Sequence, residues 1–385
     1  MKNKILLILI VLLMVVSVFR YIHRAPKRNY SDFHVLHTTA ERFKSGEELY
    51  TYEGEVSYFK YPPFYAFLIS PLSFLSEYQA ALLWHLINWV FMVLIFYCLV
   101  RILNSKRYIL IVLLGFIYSF RFILENLDQG QANISFLAFT VFALYFYLKD
   151  RKIASSFFLV ASILFKYLSL LFLPLFILKK DYKYIMRVIF FAPLLYFSPI
   201  IITGFRRMVQ LSQGNIVFLF QSSLDKYSIT CYPNQSLLAA FRRLFSQNQW
   251  YSTQLFQLSD KAISIVFIAV SLMLLIIAVL PKRDLRINFG LIAILVALLN
   301  PNGWKNSFVW LLIPAMTMFY FIFEKKIKDR VSLIMLILSF VFCSLTSEFV
   351  VYSWAGDLFE IYSFITWGAL MLFFGLLRIN RAIDT

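Results

Sequence analysis

The sequence has few cysteines and no signature of a soluble nucleotide-dependent enzyme. Its three cysteines, Cys98, Cys231 and Cys343, lie far apart. Two of them fall within apolar runs, so neither a disulfide framework nor a zinc site is supported, and we expect packing roles. The chain also lacks an Asp-x-Asp pair, a Walker loop and a Gly-x-Gly-x-x-Gly element. If the chain is an enzyme, it therefore has no motif for a nucleotide-linked donor and would need a donor that is already in the membrane.

Apolar residues, in contrast, are abundant. The 385 residues are 61% hydrophobic and 19% aromatic, against roughly 45–50% apolar residues in globular proteins. This composition excludes a water-soluble enzyme. Because a spanning helix uses about 20 apolar residues, the chain has room for about a dozen spans. We therefore predict an all-α polytopic membrane protein, with residues 1–385 forming a single integral-membrane domain.

The apolar runs predict twelve spans. Residues 5–19 have no small-residue cleavage site behind them, so we interpret them as a retained first span rather than a signal peptide. The run 154–178 is predicted to be a broken hairpin that crosses twice, with its break near Lys166. The run 62–76 is expected to lie on the outer surface. The other predicted spans are 81–100, 108–124, 131–148, 184–203, 262–280, 286–300, 307–323, 331–347 and 361–377.

The distribution of charge predicts the orientation of the chain. A net charge of +17 would suggest nucleic-acid binding if its layout were ignored, but most basic clusters stand between apolar runs. The positive-inside rule assigns these clusters and both termini to the cytoplasm. Two long loops, about 20–61 and 204–261, then lie outside and are expected to carry short amphipathic helices. Any active site would face away from the cytoplasm.

Asp32 is the candidate catalytic carboxylate of the first outer loop. The residues after it, Phe33, Leu36, Ala40 and Phe43, have the spacing of an amphipathic helix, for which Ser31 or Asp32 is a plausible N-cap. Asp32 is therefore open to two compatible interpretations, a helix cap and a general base. The nearby His34 and His37 have no further ligand cluster, so we predict no metal site.

Polar residues at the predicted outer ends of spans are candidate ligand contacts. Gln131 and Asn133 lie immediately before a span, where helix capping and ligand contact are equally plausible. Tyr61 precedes two prolines that suit a sharp entry at the interface. Lys166 lies in an apolar run, where a charge costs about 2.5–3.5 kcal/mol, so it either faces a polar cavity and an anion or extends to the surface. Arg121 has the same two interpretations.

The second long loop and a later outer loop add further candidates. Asn234 and Gln235 precede Arg242, and the segment 300–306 contains Trp304 and Lys305. The charged members could complete a phosphate pocket, since cations stabilise a phosphate leaving group. Turn residues and loop-anchoring aromatics are the ordinary alternative.

Taken in order, these motifs resemble glycosyltransferase family 87, the polyprenol-phosphate-mannose-dependent mannosyltransferases of the membrane-embedded GT-C superfamily. The resemblance runs through most of the chain. Two positions depart from the family pattern: Ser169 stands where members commonly have proline, and Lys305 with Asn306 stands where they have histidine. The motifs that carry this resemblance are Asp32-Phe33, Leu49-Tyr50, Tyr61-Pro62-Pro63, Gly130-Gln131-x-Asn133, Lys166-Tyr167, Asn234-Gln235-Ser236-Leu237 with Arg242, and Pro301 with Trp304.

The resemblance implies an inverting transfer of a sugar, mannose foremost, from a polyprenol-phosphate donor to a glycan or glycolipid acceptor. Asp32 would act as the base, and Lys166, Arg121, Arg242 or Lys305 would meet the leaving phosphate. The expected substrate contacts are Tyr61, Gln131, Asn133, Asn234, Gln235 and Trp304. We expect no cofactor, no metal and no nucleic-acid partner. The expected location is the bilayer of a bacterial inner or plasma membrane.

Two rival functions stay open at this point. A lipid-linked glycan flippase or transporter would need a cationic cavity but no outer carboxylate, and transporters often show paired repeats, which we do not find. An oligosaccharide polymerase or ligase with a diphosphate-linked donor would make use of the paired arginines Arg206/Arg207 and Arg242/Arg243.

Overall fold

The computed structural model describes residues 15–19, 22, 31–50, 59–222, 230–247, 253–280, 284–348 and 350–384, and these residues are predominantly helical. Most of the expected first span, residues 5–19, lies outside the described residues. The α-helices of three or more turns or of functional interest are α1 (Ser31–Ser45), α2 (Pro63–Ile69), α3 (Glu77–Leu103), α4 (Tyr108–Gln129), α5 (Asn133–Leu148), α6 (Lys152–Phe165), α7 (Leu173–Leu178), α8 (Tyr182–Tyr196), α9 (Ile200–Ser222), α10 (Leu237–Phe245), α11 (Asp260–Val279), α12 (Leu285–Leu298), α13 (Leu312–Phe319), α14 (Arg330–Phe340), α15 (Ser353–Ile361) and α16 (Phe364–Asp384).

Several helices are apolar and long enough to cross a membrane. Four candidate spans occur among the described residues, and up to six if each of two bent helix pairs is counted as one span. Other apolar helices are shorter, between 10 and 17 residues. The polytopic membrane class is therefore supported, while the count of twelve spans stays a prediction. The four spans are Glu77–Leu103, Tyr108–Gln129, Asp260–Val279 and Lys305–Glu324.

The run 154–178 is broken at Lys166, as expected. Helix α6 ends at Phe165, and Lys166 has an extended backbone, with φ −154° and ψ 120°. A 3₁₀ helix, Tyr167–Phe172, follows it. The buried hydroxyls of Ser162 and Ser169 lie 2.8 Å apart across this break. Ser169 therefore holds the break through a hydroxyl contact.

The start of the predicted second outer loop is helical. Helix α9 runs to Ser222, with a kink at Gly204, whose φ of 74° lies in the left-handed region that favours glycine. Helices α8 and α9 form one of the bent apolar pairs, with an angle of 90° between them. The polar residues Arg206, Arg207, Gln210 and Gln213 lower the hydropathy of this segment, which is why the sequence pattern favoured a loop from residue 204.

The chain divides into two compact units that are each assembled from separate stretches of sequence. The first unit contains residues 1–98, 125–169 and 183–224, and the second contains 99–124, 170–182 and 225–385. In the first, the rings of Phe139 and Phe158 lie 5.5 Å apart where α5 packs on α6. In the second, helix α12 is buried from Ile287 to Leu298, and Ser339 of α14 donates a hydrogen bond to the Gly368 carbonyl of α16 at 2.6 Å.

Candidate active site

Asp32 lies in the first turn of α1, where a carboxylate complements the positive end of the helix dipole. The apolar side chains of this helix, Phe33, Leu36, Ala40 and Phe43, are all buried, so they fix α1 against its own unit. Asp32 itself keeps partial exposure. Burial of one face thus holds the backbone in place while the carboxylate remains accessible.

Gln131 contacts Asp32 directly. Its amide Nε2 donates a hydrogen bond to Asp32 Oδ2 at 2.5 Å. The turn that carries Gln131 reaches α1 because Gly130 has no side chain: a Cβ atom there would lie 2.7 Å from the Cβ of Phe33. The carbonyl of Gly130 accepts a hydrogen bond from the indole of Trp84 at 2.9 Å, which fixes the turn from its other side.

The pKa of the Asp32 carboxyl is raised because the group is largely desolvated. The hydrogen bond from Gln131 and the positive charges of Lys60 and Lys166 act in the opposite direction and favour the ionised form. A carboxylate whose pKa is raised is a stronger base than an exposed one, and general bases work best when their pKa lies close to the working pH. Asp32 is therefore both accessible and tuned toward proton acceptance.

Lys60 and Lys166 each precede a tyrosine whose position is fixed by hydrogen bonds. The carbonyl of Tyr61 accepts from the hydroxyl of Tyr50 at 2.9 Å and from Nδ2 of Asn215 at 3.4 Å. Oδ1 of the same Asn215 accepts from the Tyr167 hydroxyl at 2.8 Å. The buried side chain of Asn215 thus ties together the two Lys-Tyr segments that place cations near Asp32.

Tyr61 itself lies close to this group. Its ring is 4.7 Å from that of Tyr65, and the pKa of its phenol is raised by burial and by the negative charge of Asp32. We refer to Asp32, Gln131, Lys60, Lys166 and Tyr61 as the Asp32 cluster. The structure therefore brings together four of the residues that the sequence selected and adds Lys60.

Asn133, the fifth candidate of the first unit, is buried. Its Nδ2 donates to Oδ1 of Asn126 at 3.2 Å, so this amide is used within the turn. A ligand-binding role of Asn133 stays a prediction.

His34 and His37 also have protein partners, since His34 Nδ1 lies 2.9 Å from Glu77 Oε1 and His37 Nε2 lies 3.1 Å from the Leu75 carbonyl.

In the second unit, the two segments that the sequence analysis selected contact each other. Asn234 forms an isolated antiparallel bridge with Trp304, and its Nδ2 donates to the Pro301 carbonyl at 2.7 Å. The backbone N–H of Gln235 donates to the Gly303 carbonyl at 2.8 Å. Trp304 remains 37% exposed, so its ring is still available for contact with a ligand.

Arg121 and Lys305 converge on a buried carboxylate that the sequence analysis did not select. Glu360 Oε1 lies 2.7 Å from Nη2 of Arg121 and 3.0 Å from Nζ of Lys305. Lys305 also approaches Glu348 at 3.5 Å, and Nε2 of Gln235 donates to the Glu360 carbonyl at 2.8 Å. We refer to these five residues as the Glu360 cluster.

Arg242 and Arg243 of the second unit also have partners. Nη1 of Arg242 lies 3.5 Å from Oδ1 of Asp260. Arg243 is buried and donates to the Asn234 carbonyl at 2.8 Å and to the hydroxyl of Ser363 at 2.7 Å. Arg243 is therefore used to hold the segment that carries Asn234.

The sequence analysis missed Lys60, Glu348 and Glu360 of these clusters, and Asn215 beside the Asp32 cluster. Lys60 could have been found because Lys60-Tyr61 repeats the Lys166-Tyr167 dipeptide. Asn215 is a buried amide on helix α9. The sequence analysis did not select it because the segment from residue 204 was predicted to be a loop. Glu360 stands immediately before an apolar run, and no local pattern connects it with Arg121, 239 positions earlier.

The features described so far define an apolar, all-helical chain in which an accessible carboxylate lies beside lysine charges. The family model for glycosyltransferase family 87 matches residues 59–301. The chain belongs to this family and is a membrane glycosyltransferase. Asp32, Trp304, Lys305 and Glu360 lie outside the matched residues. A comparison with curated proteins found no match.

Proposed function

We propose that the protein transfers a sugar, mannose foremost, from a polyprenol-phosphate donor to a glycan or glycolipid acceptor on the extracytoplasmic face of a bacterial inner or plasma membrane. The observation that carries this proposal is the Asp32 cluster, in which one accessible carboxylate is held by Gln131 and lies within the electrostatic reach of Lys60 and Lys166. Membership of the family supplies the reaction class.

The proposed reaction is a single displacement with inversion. Asp32 accepts the proton of the acceptor hydroxyl while the hydroxyl oxygen forms a bond to the anomeric carbon. The bond between that carbon and the phosphate oxygen breaks, and its electron pair leaves with the polyprenyl phosphate. Lys166 and Lys60 would stabilise the phosphate charge. Because a phosphate monoester is a good leaving group, the displacement requires no metal or other cofactor.

The contacts of the other candidate cations make them less direct participants. Arg121 and Lys305 are paired with Glu360, and Arg242 lies near Asp260. They would hold the segments that carry Gln235 and Trp304 in the second unit. A diphosphate-linked donor has less support, because Arg242 and Arg243 both contact groups of the protein.

The test is transfer by the purified full-length protein from a panel of polyprenol-phosphate sugars. We expect transfer from the mannose donor, and we expect Asp32→Asn to abolish it. The matched control is Glu41→Gln on the same helix, whose side chain is 57% exposed and which should keep wild-type activity. Full activity of Asp32→Asn, or lipid movement across vesicles without any sugar transfer, would overturn the proposal.

A further inference from the structure

A cavity of about 430 Å³ lies within the first unit, between the segment that follows α1 and one side of α9. Its size falls in the range of roughly 300–1,000 Å³ that is typical of ligand pockets. Glu48, Tyr50, Arg207, Gln210, Gln213 and Phe218 are among the residues that line it. Of these, the sequence analysis named only Tyr50, within a motif of the resemblance, and Arg207, for the rival with a diphosphate-linked donor.

The polar side chains of this cavity are suited to hydroxyl groups. Glu48, Arg207, Gln210 and Gln213 offer planar carboxylate, guanidinium and amide groups that include both donors and acceptors. One cation and one anion balance each other, which favours an uncharged ligand over a phosphate. Tyr50 and Phe218, whose ring centroids lie 6.0 Å apart, supply an aromatic wall on which the apolar face of a sugar ring can pack.

The walls of the cavity are held by specific contacts. A Cβ atom on Gly214 would lie 2.9 Å from Cδ2 of Tyr50, so α9 can approach Tyr50 only because residue 214 is glycine. Nη2 of Arg207 donates to the Glu47 carbonyl, and Nη1 of Arg207 lies 3.4 Å from Oε1 of Gln210. The segment after α1 and helix α9 are thus linked at both ends of the cavity.

The cavity shares a wall with the Asp32 cluster. The hydroxyl of Tyr50 and the amide of Asn215, which follows Gly214, both donate to the carbonyl of Tyr61. Tyr61 in turn lies within the electrostatic reach of Asp32. Tyr61 therefore connects one wall of the cavity to the candidate base.

We propose that this cavity is the acceptor subsite and that it binds an uncharged oligosaccharide. This inference rests on the proposed transferase function. Arg207, Gln210, Gln213 and Glu48 bind hydroxyls of the sugar units that precede the acceptor unit, and Tyr50 with Phe218 supports a ring face. The terminal hydroxyl of the acceptor then reaches Asp32.

The first test blocks the cavity in the full-length enzyme. Gln213→Trp places a bulky ring in the cavity, and we expect the KM for a labelled mannotriose acceptor to rise at least tenfold while the KM for polyprenol-phosphate mannose stays unchanged. Ile216→Trp is the matched control, because Ile216 is exposed on the same helix and does not line the cavity. A wild-type acceptor KM in Gln213→Trp would overturn the subsite.

The second test measures binding without transfer. Saturation-transfer NMR with mannotriose should show binding to the wild type, to Ile216→Trp and to Asp32→Asn, and its loss in Gln213→Trp. Binding that Gln213→Trp leaves unaltered, or no binding to the wild type, would overturn the subsite.

The two tests separate failure of the subsite from failure of the proposed function. If mannotriose binds in the expected pattern but no polyprenol-phosphate sugar is transferred, the transfer proposal fails while the saccharide site stands. If transfer occurs and depends on Asp32 but Gln213→Trp has wild-type acceptor kinetics, the subsite fails and the transferase stands.

Discussion

The Asp32 cluster and the Glu360 cluster place a carboxylate among cations in opposite ways. Asp32 is partly exposed and accepts a hydrogen bond from the neutral amide of Gln131. Glu360 is 1% exposed and is in direct contact with the side chains of Arg121 and Lys305. The first arrangement leaves a carboxylate that can accept a proton. The second uses a carboxylate to neutralise two cations in an apolar surrounding.

This difference shows that proximity of opposite charges is not enough to identify a reactive group. A buried ion pair is costly to break, because removal of one partner leaves the other charge without compensation. A carboxylate that is desolvated and lacks a directly bound cation is instead stabilised in its protonated form. Activity should therefore depend most on Asp32, and the stability of the fold should depend most on Glu360.

The largest expected effect is the loss of transfer in Asp32→Asn. Removal of a general base should reduce kcat/KM by roughly 10²–10⁴-fold. The folded-state pKa of Asp32 is raised, so its ionised form opposes folding at neutral pH, and the fold gains stability as the pH falls toward that pKa. Asp32→Asn should thus melt at the wild-type temperature or above it. A clear loss of thermal stability would show that Asp32 has a structural role.

The second effect is a loss of stability in Glu360→Gln. The change leaves Arg121 and Lys305 without their shared carboxylate oxygen, and removal of one partner of a buried pair costs about 3–5 kcal/mol. Thermal unfolding of the purified protein in detergent measures this loss. Glu348→Gln is the control, because Glu348 is 48% exposed and approaches Lys305 at 3.5 Å; its effect should be at most about 1 kcal/mol. Equal melting of the two variants would contradict the assignment.

A third effect should appear in the pH dependence of Gln131→Leu. The amide of Gln131 favours the ionised form of Asp32, so its removal should raise the pKa of Asp32 further. The acidic limb of the kcat/KM profile should move to higher pH, with about a tenfold loss at acidic pH and a smaller loss at alkaline pH. Gln129→Leu, whose amide donates to Glu125 at 3.2 Å, should keep the wild-type profile. A loss that is uniform with pH would argue against coupling to Asp32.

The smallest effect concerns Asp329, a carboxylate whose partners lower its pKa. Arg378 and Ser332 hydrogen-bond to Oδ2 of Asp329 and hold its pKa at about 2, below the usual 3.8. The stability that ionised Asp329 adds to the fold is fully present when the pH is above the unfolded-state pKa of 3.8. This stability is lost as the pH falls from about 4 through about 2. Asp329→Ala should cost about 1 kcal/mol at neutral pH. The difference in melting temperature between Asp329→Ala and the wild type should become smaller as the pH is lowered. A difference that does not change with pH would contradict this account.

The sequence predicted the features that depend on local composition. The apolar runs predicted helices, and the basic clusters at both ends of the run 154–178 predicted the break that follows Phe165. The structure places Gln131 beside Asp32, and their membership of one site stays a prediction. Residue types and their order carry this information, so no long-range contact had to be known.

The features that the sequence did not predict depend on contacts across long separations. Arg121 and Lys305 were assigned to a phosphate because their partner, Glu360, cannot be recognised from any local pattern. The sequence predicted a long loop from residue 204, where the structure has helix α9 as far as Ser222. The polar residues on one side of this helix lower its mean hydropathy, and a hydropathy pattern alone cannot distinguish such a helix from a loop. Asn215 lies on that helix, and its two hydrogen bonds became visible only in the folded chain.

Gly130 has a consequence for how the protein can vary. It has no functional group, yet any side chain at this position would meet Phe33 and displace the turn that brings Gln131 to Asp32. In a saturation mutagenesis screen scored by transfer, position 130 should therefore tolerate almost as few replacements as position 32. The screen would find two intolerant positions, one because of its chemistry and the other because of the space that it leaves empty.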